Sequence, residues 1–354
     1  MYNYKIYEEI SGECKKLWEE VEKNSCHNFF QSLEYIQEVI KKNKKILLKI
    51  IIIFEDKNVV AILPLEIKSL FFFETLQWIG TEKSDYCNPI ISKNFYNIID
   101  KKNFIKLWDE ILKKIGKFDI FFFNNQPLYI EELNNPFVNF FPTINFSNIY
   151  QIKLPDTYEK YKNNIRDKDK KHFYEIHRTS IKLSNLEKKS SLIFEVNNSF
   201  EKIFELKEII RDKINLLKDK KIKNNLNTEF IDIYENLINL KKNKFFLMNL
   251  YVDNKIISSC FGILYKNIFY YFVPMLNSND YNNFKPGKIL ILKIIEWSIS
   301  KKINIFDFGL GNERYKKDFS NTNISLHRYL NYRTLRGYFV CKFLILFYKR
   351  LRSF

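Results

Sequence analysis

Apolar and polar positions follow the same order of patterns twice along the chain. In the first half, helical spacing of apolar residues precedes two strand-like runs, and a second helical pattern then leads into another strand. The predicted elements are helices at 7–23, 30–43 and near 102–116, a β-hairpin over 46–70 with its turn at 55–58, and a strand at 117–125. Residues 124–147, rich in Asn, Pro and Phe, predict irregular structure.

The second half repeats this order. A helix-rich block is expected over 157–242, then a meander of about three strands over 245–276, with turns at VDNK and YKN. Pro286 and Gly287 open an apolar helical run that ends at lysines, and the strand NIFDFG follows. The repetition predicts an α+β protein with two similarly built domains, at 1–148 and 149–354.

Composition supports two cores and an intracellular setting. The chain has 354 residues, of which 46% are apolar. Its first residues carry acids where a signal peptide would carry a basic run, so export by that route is not expected. Five scattered cysteines form no C-x-x-C pair, and His172 and His177 stand five apart, so we expect a reducing cytoplasm and no metal site.

The charge leaves two interpretations open. The formal net charge is +17, and clustered Lys and Arg bind polyanions. The lysines, however, are spread along the chain with abundant Asn, Ile and Phe, which favours the compositional bias of an AT-rich genome. The densest basic block, 160–182, is the exception and is a candidate for facing an anionic substrate or cofactor.

One stretch carries a specific motif. The run PGKILILKIIEWSISKKINIFDFGLGNERYKKDF, residues 286–319, resembles the carboxy-terminal motif of the CelD/BcsL-like branch of the GNAT acyltransferases. Shorter pieces at 29–36, 58–67 and 78–91 resemble that family's amino-terminal half and occur in the matching order. The chain departs from the pattern at Asn312, where the family usually has an acid.

The resemblance implies a fold and a reaction. It implies two GNAT-like (acyl-CoA N-acyltransferase) domains, each a mixed, mostly antiparallel sheet flanked by helices. It also implies transfer from acyl-CoA, acetyl-CoA in particular, to an amino group on a sugar-nucleotide or polysaccharide precursor, without a metal. Direct attack by an amine agrees with the absence of a G-x-S-x-G elbow from the sequence.

Two other functions remain open at this stage. The FemAB aminoacyl transferases have a similar double-GNAT layout, so aminoacyl-tRNA is an alternative donor, and tRNA is then the one nucleic-acid partner expected. The second alternative is a non-catalytic protein that binds anionic glycan or nucleic acid through a degenerate GNAT fold.

The start of the motif is a candidate cofactor-binding site. Pro286 and Gly287 begin a helix whose first N–H groups and positive dipole end attract anions, and Lys285 and Lys288 flank them. With the resemblance, this arrangement predicts a site for the coenzyme A pyrophosphate. The structural alternative is that Pro-Gly only starts a helix.

The end of the motif is the candidate catalytic turn. Gly309 and Gly311 would let the backbone turn sharply and approach a ligand closely. We expect them to contribute to substrate binding together with Lys316, as an exposed point charge for a phosphate or carboxylate. The structural alternative is a plain turn before a solvated helix start.

Three residues near this turn are assigned catalytic roles. Glu313 is the candidate general base, directly or through water, and Tyr315 is the candidate acid toward the leaving thiolate. Asp307 competes with Glu313 as the base, or else anchors the loop.

Two further segments remain as weaker candidates. Asp85 and Tyr86 are proposed to contact substrate, although SDY before CNP also reads as a polar turn. The segment 337–354 is both apolar and basic and is too short to span a bilayer. It is expected either to lie on the inner membrane surface as an amphipathic helix or to pack on the second domain.

Overall fold

The structure is a computed structural model that describes residues 2–42, 46–70, 72–93, 100–198, 200–219, 226–240, 244–277 and 280–351. Its strands, in chain order, are β1 Tyr2–Tyr7, β2 Ser25–Cys26, β3 Ile46–Glu55, β4 Asn58–Leu70, β5 Phe73–Trp78, β6 Ile90–Ser92, β7 Ile120–Pro127, β8 Tyr129–Ile130, β9 Leu133–Asn134, β10 Ile144–Lys153, β11 Leu192–Asn198, β12 Phe245–Val252, β13 Lys255–Tyr265, β14 Ile268–Leu276, β15 Ile305–Leu310 and β16 Thr322–Tyr332. Its α-helices are α1 Gly12–Asn24, α2 Leu33–Lys42, α3 Lys101–Lys114, α4 Pro136–Asn139, α5 Tyr158–Lys168, α6 Lys170–Glu187, α7 Ile203–Asp219, α8 Thr228–Leu240, α9 Pro286–Ser300, α10 Arg314–Phe319 and α11 Leu335–Leu351.

Parts of three predicted segments lie outside these described residues: residue 43 of the second predicted helix, residues 199, 220–225 and 241–242 of the helix-rich block, and 352–354 of the carboxy-terminal segment.

The chain divides into two compact units. Unit 1 is Met1–Ser147 with Ser325–Phe354, and unit 2 is Asn148–Ile324. The first division lies within one residue of the expected one, but the predicted second domain, 149–354, included the segment from Ser325 onward. That segment lies in unit 1 because β16 pairs antiparallel with β7, a long-range contact that no local pattern announces.

Unit 1 is built on a mostly antiparallel sheet. Its strand order is β1-β3-β4-β5-β7-β16, with β6 on β4 and β2 on β6, and only β5 and β7 run parallel. The β3–β4 hairpin forms where predicted, and Asp56 takes a positive φ of 55° in its turn. The expected helix over 7–23 was placed too early. Tyr2–Tyr7 pairs with β3 instead, and Tyr2, Tyr4 and Ile6 pack on the core of unit 1.

Unit 2 repeats this architecture. Its strand order is β10-β15-β14-β13-β12-β11, and only β14 and β15 run parallel. The predicted meander and the helix starting at Pro286 are present. The helix-rich block, however, contains strand β11, which pairs along the edge of β12 from Leu192↔Val252 onward. In unit 2, α9 is buried nearly all round, because Ile289, Leu290 and Ile294 belong to one apolar core with β12–β15.

A buried carboxyl lies within the sheet of unit 1. Glu66 on β4 is 2% exposed, and its Oε1 accepts a hydrogen bond of 2.7 Å from Nε2 of Gln77 on β5. Burial raises the pKa of Glu66 from 4.5 to about 7, and the Gln77 hydrogen bond only partly opposes this rise. Because the folded state holds this proton more tightly than the unfolded chain, stability falls as pH rises through the interval from 4.5 to about 7.

We therefore expect Glu66→Gln to stabilise the protein above neutral pH. Glutamine keeps an oxygen for Gln77 and has no charge to bury, so the free energy of unfolding should exceed that of the native protein by on the order of 1 to 3 kcal/mol at pH 8. The gain should shrink at pH 5. Denaturant titrations at both pH values check this, with Glu19→Gln on the exposed side of α1 as control. A gain that is equal at the two pH values would contradict the assignment.

Candidate functional site

The two parallel strands of unit 2 separate soon after they pair. β14 and β15 match over 268–270 and 305–307, ending at Tyr270↔Asp307, and both strands continue beyond that pair. On its other side β14 has a β-bulge: Phe261 faces Val273 and Gly262 faces Tyr271, which leaves Phe272 unmatched. Within the described residues, the β14 edge beyond Tyr270 thus has no β15 partner. A bulge beside such an opening is a common feature of functional sites.

Glycines allow the turn that follows β15. Gly309 and Gly311 have φ values of 67° and 134°, which favour glycine. A Cβ on Gly311 would lie 2.2 Å from Glu313 Oε2 and 2.8 Å from Lys316 Nζ. The missing side chain therefore leaves room for the carboxylate of Glu313 to fold back over the turn. The close approach of a ligand to the two glycines stays a prediction.

Lys316 differs from expectation. It is 4% exposed, whereas we predicted an exposed ligand-binding charge. Its Nζ donates to the Leu310 carbonyl at 2.7 Å and lies 3.0 Å from Glu313 Oε2. The ammonium is drawn inward because it satisfies a carbonyl at the end of β15 and one carboxylate together. Lys316 thus holds the turn and the base candidate in one geometry.

Asp307 occupies an anchoring position. It is 1% exposed, and its carboxylate accepts hydrogen bonds of 2.7 Å from Gln151 Nε2 and from the Gly309 N–H. The first bond joins β15 to β10, and the second fixes the start of the turn. This geometry favours the anchoring alternative for Asp307 over the role of general base.

Glu313 and Tyr315 lie at the mouth of the turn. The Glu313 side chain is 55% exposed and immediately precedes α10. Tyr315 is half-buried, and its ring packs edge-on against Phe308 at 6.2 Å between centroids. Burial, then the charge of Glu313 and the Cys260 thiol, raise the pKa of Tyr315 well above its usual 10. The phenol therefore keeps its proton at neutral pH.

Tyr271 completes this corner of unit 2. It lies on β14 at the bulge, is 3% exposed, and stacks on Phe306 with 5.7 Å between ring centroids. Burial raises the pKa of Tyr271 first, and the Cys260 thiol and the Tyr315 phenol raise it further. Tyr271 belongs to the apolar core of unit 2 and also borders the opening between β14 and β15.

The first turn of α9 lies in a charged cluster. Lys285 precedes the helix with a φ of 56°, and Pro286 is its first residue. The Nζ of Lys285 is 3.5 Å from Glu175 Oε1, and Lys288 Nζ donates to the same oxygen. The hydrogen bond from Lys288 lowers the pKa of Glu175, so this carboxylate is charged at neutral pH. A Cβ on Gly287 would lie 3.2 Å from the Leu276 side chain.

The site also uses residues of α6 and α10 that sequence reasoning did not single out. On α6, Arg178 lies 3.6 Å from Glu175 and Lys182 donates to the Asn283 carbonyl. On α10, Asp318 lies 3.7 Å from Lys288. With Lys285 and Lys288, the cluster has four basic groups and two carboxylates. In the sequence, the dense basic block at 160–182 was the sign of this charged cluster. Tertiary contacts alone decide that residues of α6 meet the start of α9.

Unit 1 also has a short parallel pair, but its own residues close the space beyond it. β5 and β7 pair only at Thr75↔Ile120 and Leu76↔Phe121. The next residue but one, Trp78, is 1% exposed and donates through Nε1 to Gln126 Oε1 at 3.3 Å.

A loop of unit 1 is tied to the same strand. The Cys87 N–H donates to the Asn125 carbonyl at 2.9 Å, and Asn125 Nδ2 donates to the Ser84 carbonyl at 2.8 Å. Tyr86 within this loop is 4% exposed and its carbonyl accepts from Gln31, while Asp85 is half-buried. The structure thus places Asp85 and Tyr86 in a packed loop of unit 1, and their contact with substrate stays a prediction.

Comparisons with known proteins identify the domain and the fold. Residues 170–317 match the family described as acetyltransferase (GNAT) domain. Among solved structures, FemX is similar with a TM-score of 0.58 and 10% identity over 90% of this chain and 96% of that one. A conserved protein of unknown function from Bacteroides thetaiotaomicron has a TM-score of 0.53 and 11% identity over 94% of this chain and all of that one.

The C-terminal domain (DUF2156) of a putative lysylphosphatidylglycerol synthetase from Agrobacterium fabrum has a TM-score of 0.50 and 8% identity over 88% and 90% of the two chains. No curated protein matches this chain. The family match covers the region with the separating strands β14 and β15, the start of α9 and the glycine turn after β15. The chain thus has a two-domain GNAT fold, as predicted, and its GNAT domain makes it an acyltransferase.

Because Lys316 is buried, replacing it should destabilise the protein, whereas replacing the exposed Lys317 next to it should not. Lys316→Ala removes both the hydrogen bond to the Leu310 carbonyl and the contact with Glu313, so the free energy of unfolding should fall by about 1 to 3 kcal/mol. Lys317→Ala, at the next and exposed position, should change it by less than about 0.5 kcal/mol. Denaturant unfolding of both variants measures the difference. If the two substitutions changed the free energy of unfolding equally, Lys316 would be an ordinary surface charge.

Proposed function

We propose that this protein belongs to the CelD/BcsL-like branch and transfers an acyl group from acyl-CoA, acetyl-CoA in particular, to an amino group. The acceptor we propose is a sugar-nucleotide or polysaccharide precursor. The observation that carries the reaction is the opening between β14 and β15, bordered by a protonated Tyr315 and an exposed Glu313. The branch and the acceptor rest on the 286–319 motif.

The residues present fit a coenzyme A thioester. The β14 edge beyond Tyr270 offers backbone groups to the amides of a pantetheine arm, as an added strand would use them. The start of α9, a 15-residue helix, offers a positive dipole end for the pyrophosphate, with Lys285 and Lys288 beside it. The donor supplies the activated acyl carbonyl, and three basic side chains, Arg178, Lys285 and Lys288, lie within 4 Å of the single carboxylate of Glu175.

Two side chains have opposite proton-transfer tasks in this reaction. The acceptor amine attacks the thioester carbonyl, so that a C–N bond forms while the C–S bond breaks. Glu313 accepts the proton of the amine, directly or through water, and Lys316 fixes its carboxylate over the turn. Tyr315, which is protonated at neutral pH, gives its proton to the departing thiolate.

The proposed acceptor indicates the cellular compartment in which the reaction takes place. A sugar precursor made for a surface polysaccharide carries its amino group on the cytoplasmic side, where acyl-CoA is available, so we propose a cytoplasmic reaction. Among the described residues, no helix is long and apolar enough to cross a membrane.

The aminoacyl-tRNA alternative has one structural observation in its favour. Exposed basic residues follow one another along α5 and the start of α6, at Lys160, Arg166, Lys168, Lys170 and Lys171. Such a surface suits a polyanion. A non-catalytic glycan or nucleic-acid binder would need the same surface but neither Glu313 nor the protonated Tyr315. The donor that binds therefore distinguishes the proposed function from both alternatives: acyl-CoA for the proposed function, charged tRNA for the first alternative and neither donor for the second.

Donor binding distinguishes these functions directly. We expect acetyl-CoA to raise the melting temperature in a concentration-dependent manner, corresponding to about 2.7 kcal/mol at 100 times its dissociation constant, and charged tRNA to leave it unchanged. Gly287→Asp should weaken acetyl-CoA binding because its carboxylate repels the pyrophosphate.

Gly287→Ala is the steric control for this experiment, since it adds the same Cβ beside Leu276 without a charge. Stabilisation by charged tRNA alone would favour the aminoacyl alternative. Equal binding by the two Gly287 variants would remove the start of α9 from the donor site.

Substituting the proposed base and the proposed acid should each lower kcat, but with a different dependence on pH. Glu313→Gln should lower kcat by about 100- to 10,000-fold near neutral pH, and the loss should shrink at high pH where the acceptor amine is free. Tyr315→Phe should lower kcat without that recovery, because it removes the proton donor. Steady-state rates from pH 6 to 9 test both. A Glu313→Gln rate that is near normal at every pH would assign the base elsewhere.

A further inference from the structure

Helix α11 in unit 1 has apolar side chains on two opposite faces. One face packs inward: Val340 and Cys341 form a buried cluster with Ile120, and Leu344 packs against it. The other face points to solvent, with Leu335, Phe339 and Phe343 exposed by 75%, 64% and 69%. These three residues are spaced by four, so they form one stripe along the helix. An ordinary surface helix has polar residues on that side.

The stripe belongs to a helix that is firmly attached to unit 1. Arg336 Nη2 donates to the buried carboxylate of Asp119 at 2.6 Å, and Thr334 Oγ1 donates to the other oxygen of that carboxylate. Gly337 lies so close to β7 that a Cβ on it would meet the Asp119 carbonyl oxygen at 2.1 Å. The outward face of α11 is therefore displayed by a packed element rather than by a frayed terminus.

A further exposed aromatic residue lies in the same unit. Phe72 is 68% exposed, and its ring contacts that of Phe73 at 5.6 Å between centroids. Phe73 packs against the cluster of Val340 and Cys341 beneath α11. Phe72 thus lies next to the cluster that α11 covers.

The charge of this part of the chain is of one sign. From Phe319 to Phe354 the sequence contains no Asp or Glu and has seven basic residues, at positions 328, 333, 336, 342, 349, 350 and 352. Lys342 lies within the exposed stretch of α11, one residue before Phe343. An apolar stripe of Leu and Phe among Lys and Arg is complementary to a surface that is apolar below and anionic above.

We propose that the outer face of α11, with Phe72 beside it, docks unit 1 on an anionic lipid surface. Leu335, Phe339 and Phe343 enter the boundary between headgroups and acyl chains, and the exposed Lys342 beside them binds the lipid phosphates. The helix lies in the plane of the surface, because its opposite face is already packed on the sheet. This inference is independent of the acyl donor and acceptor proposed above.

Vesicle binding by the full chain tests the proposal. We expect the native protein to co-sediment with vesicles of equal parts phosphatidylglycerol and phosphatidylcholine, and to bind pure phosphatidylcholine vesicles much less. Phe339→Ser with Phe343→Ser should weaken binding to the anionic vesicles by at least about tenfold. Lys342→Glu should weaken it as well, and binding should fall at about 0.5 M salt.

The matched control is Phe204→Ser in α7 of unit 2, which replaces a phenylalanine that is 79% exposed and should leave vesicle binding unchanged. Melting temperatures of all variants should stay near the native value, because the side chains are exposed. Binding that the double variant does not reduce would overturn the proposal. So would a native dimer, seen by sedimentation velocity, that the double variant dissociates, since the stripe would then join two copies of this chain.

Discussion

The site of unit 2 depends on where two parallel strands stop pairing. β14 and β15 are held together over three residue pairs, and Asp307, the last residue of β15 in this pairing, is bonded to Gln151 of the strand on its other side and to the N–H of Gly309. β15 therefore stays bonded to β10 on one side, while on its other side it separates from β14. The bulge at Phe272 bends β14 at the same level. An opening formed in this way is part of the sheet and needs no moving loop.

Electrostatics then assigns the residues around this opening to different tasks. Lys316 is buried and satisfied, so it orients Glu313 rather than binding a ligand from solvent. Tyr315 is held in its protonated form by burial and by the nearby charge of Glu313. An exposed carboxylate and a protonated phenol two residues apart can move protons in opposite directions, which an amine attack on a thioester requires.

The two units have a similar sheet topology but differ in the residues beyond the parallel strand pair. In unit 1 the space beyond the parallel pair is occupied by Trp78 and by a loop bonded to Asn125, whereas in unit 2 the corresponding region is bordered by phenols and a thiol. Unit 1 instead holds α11, with its apolar outer stripe. The repeated architecture therefore supports different surfaces in its two copies, and the family match lies in unit 2.

The sequence by itself determined the order of most elements, the two-domain plan and the position of the glycine turn after β15. Apolar periodicity is local, and two glycines before Glu313 can be interpreted without knowing what surrounds them. Only the tertiary structure decided that Lys316 points inward, that Asp307 is an anchor and that Glu175 joins the lysines of α9, because burial and ion pairing depend on residues far apart in the chain. For the same reason β1, β11 and the return of β16 to unit 1 escaped prediction: each is an edge or long-range pairing in which the partner strand, rather than the local pattern, stabilises the extended backbone.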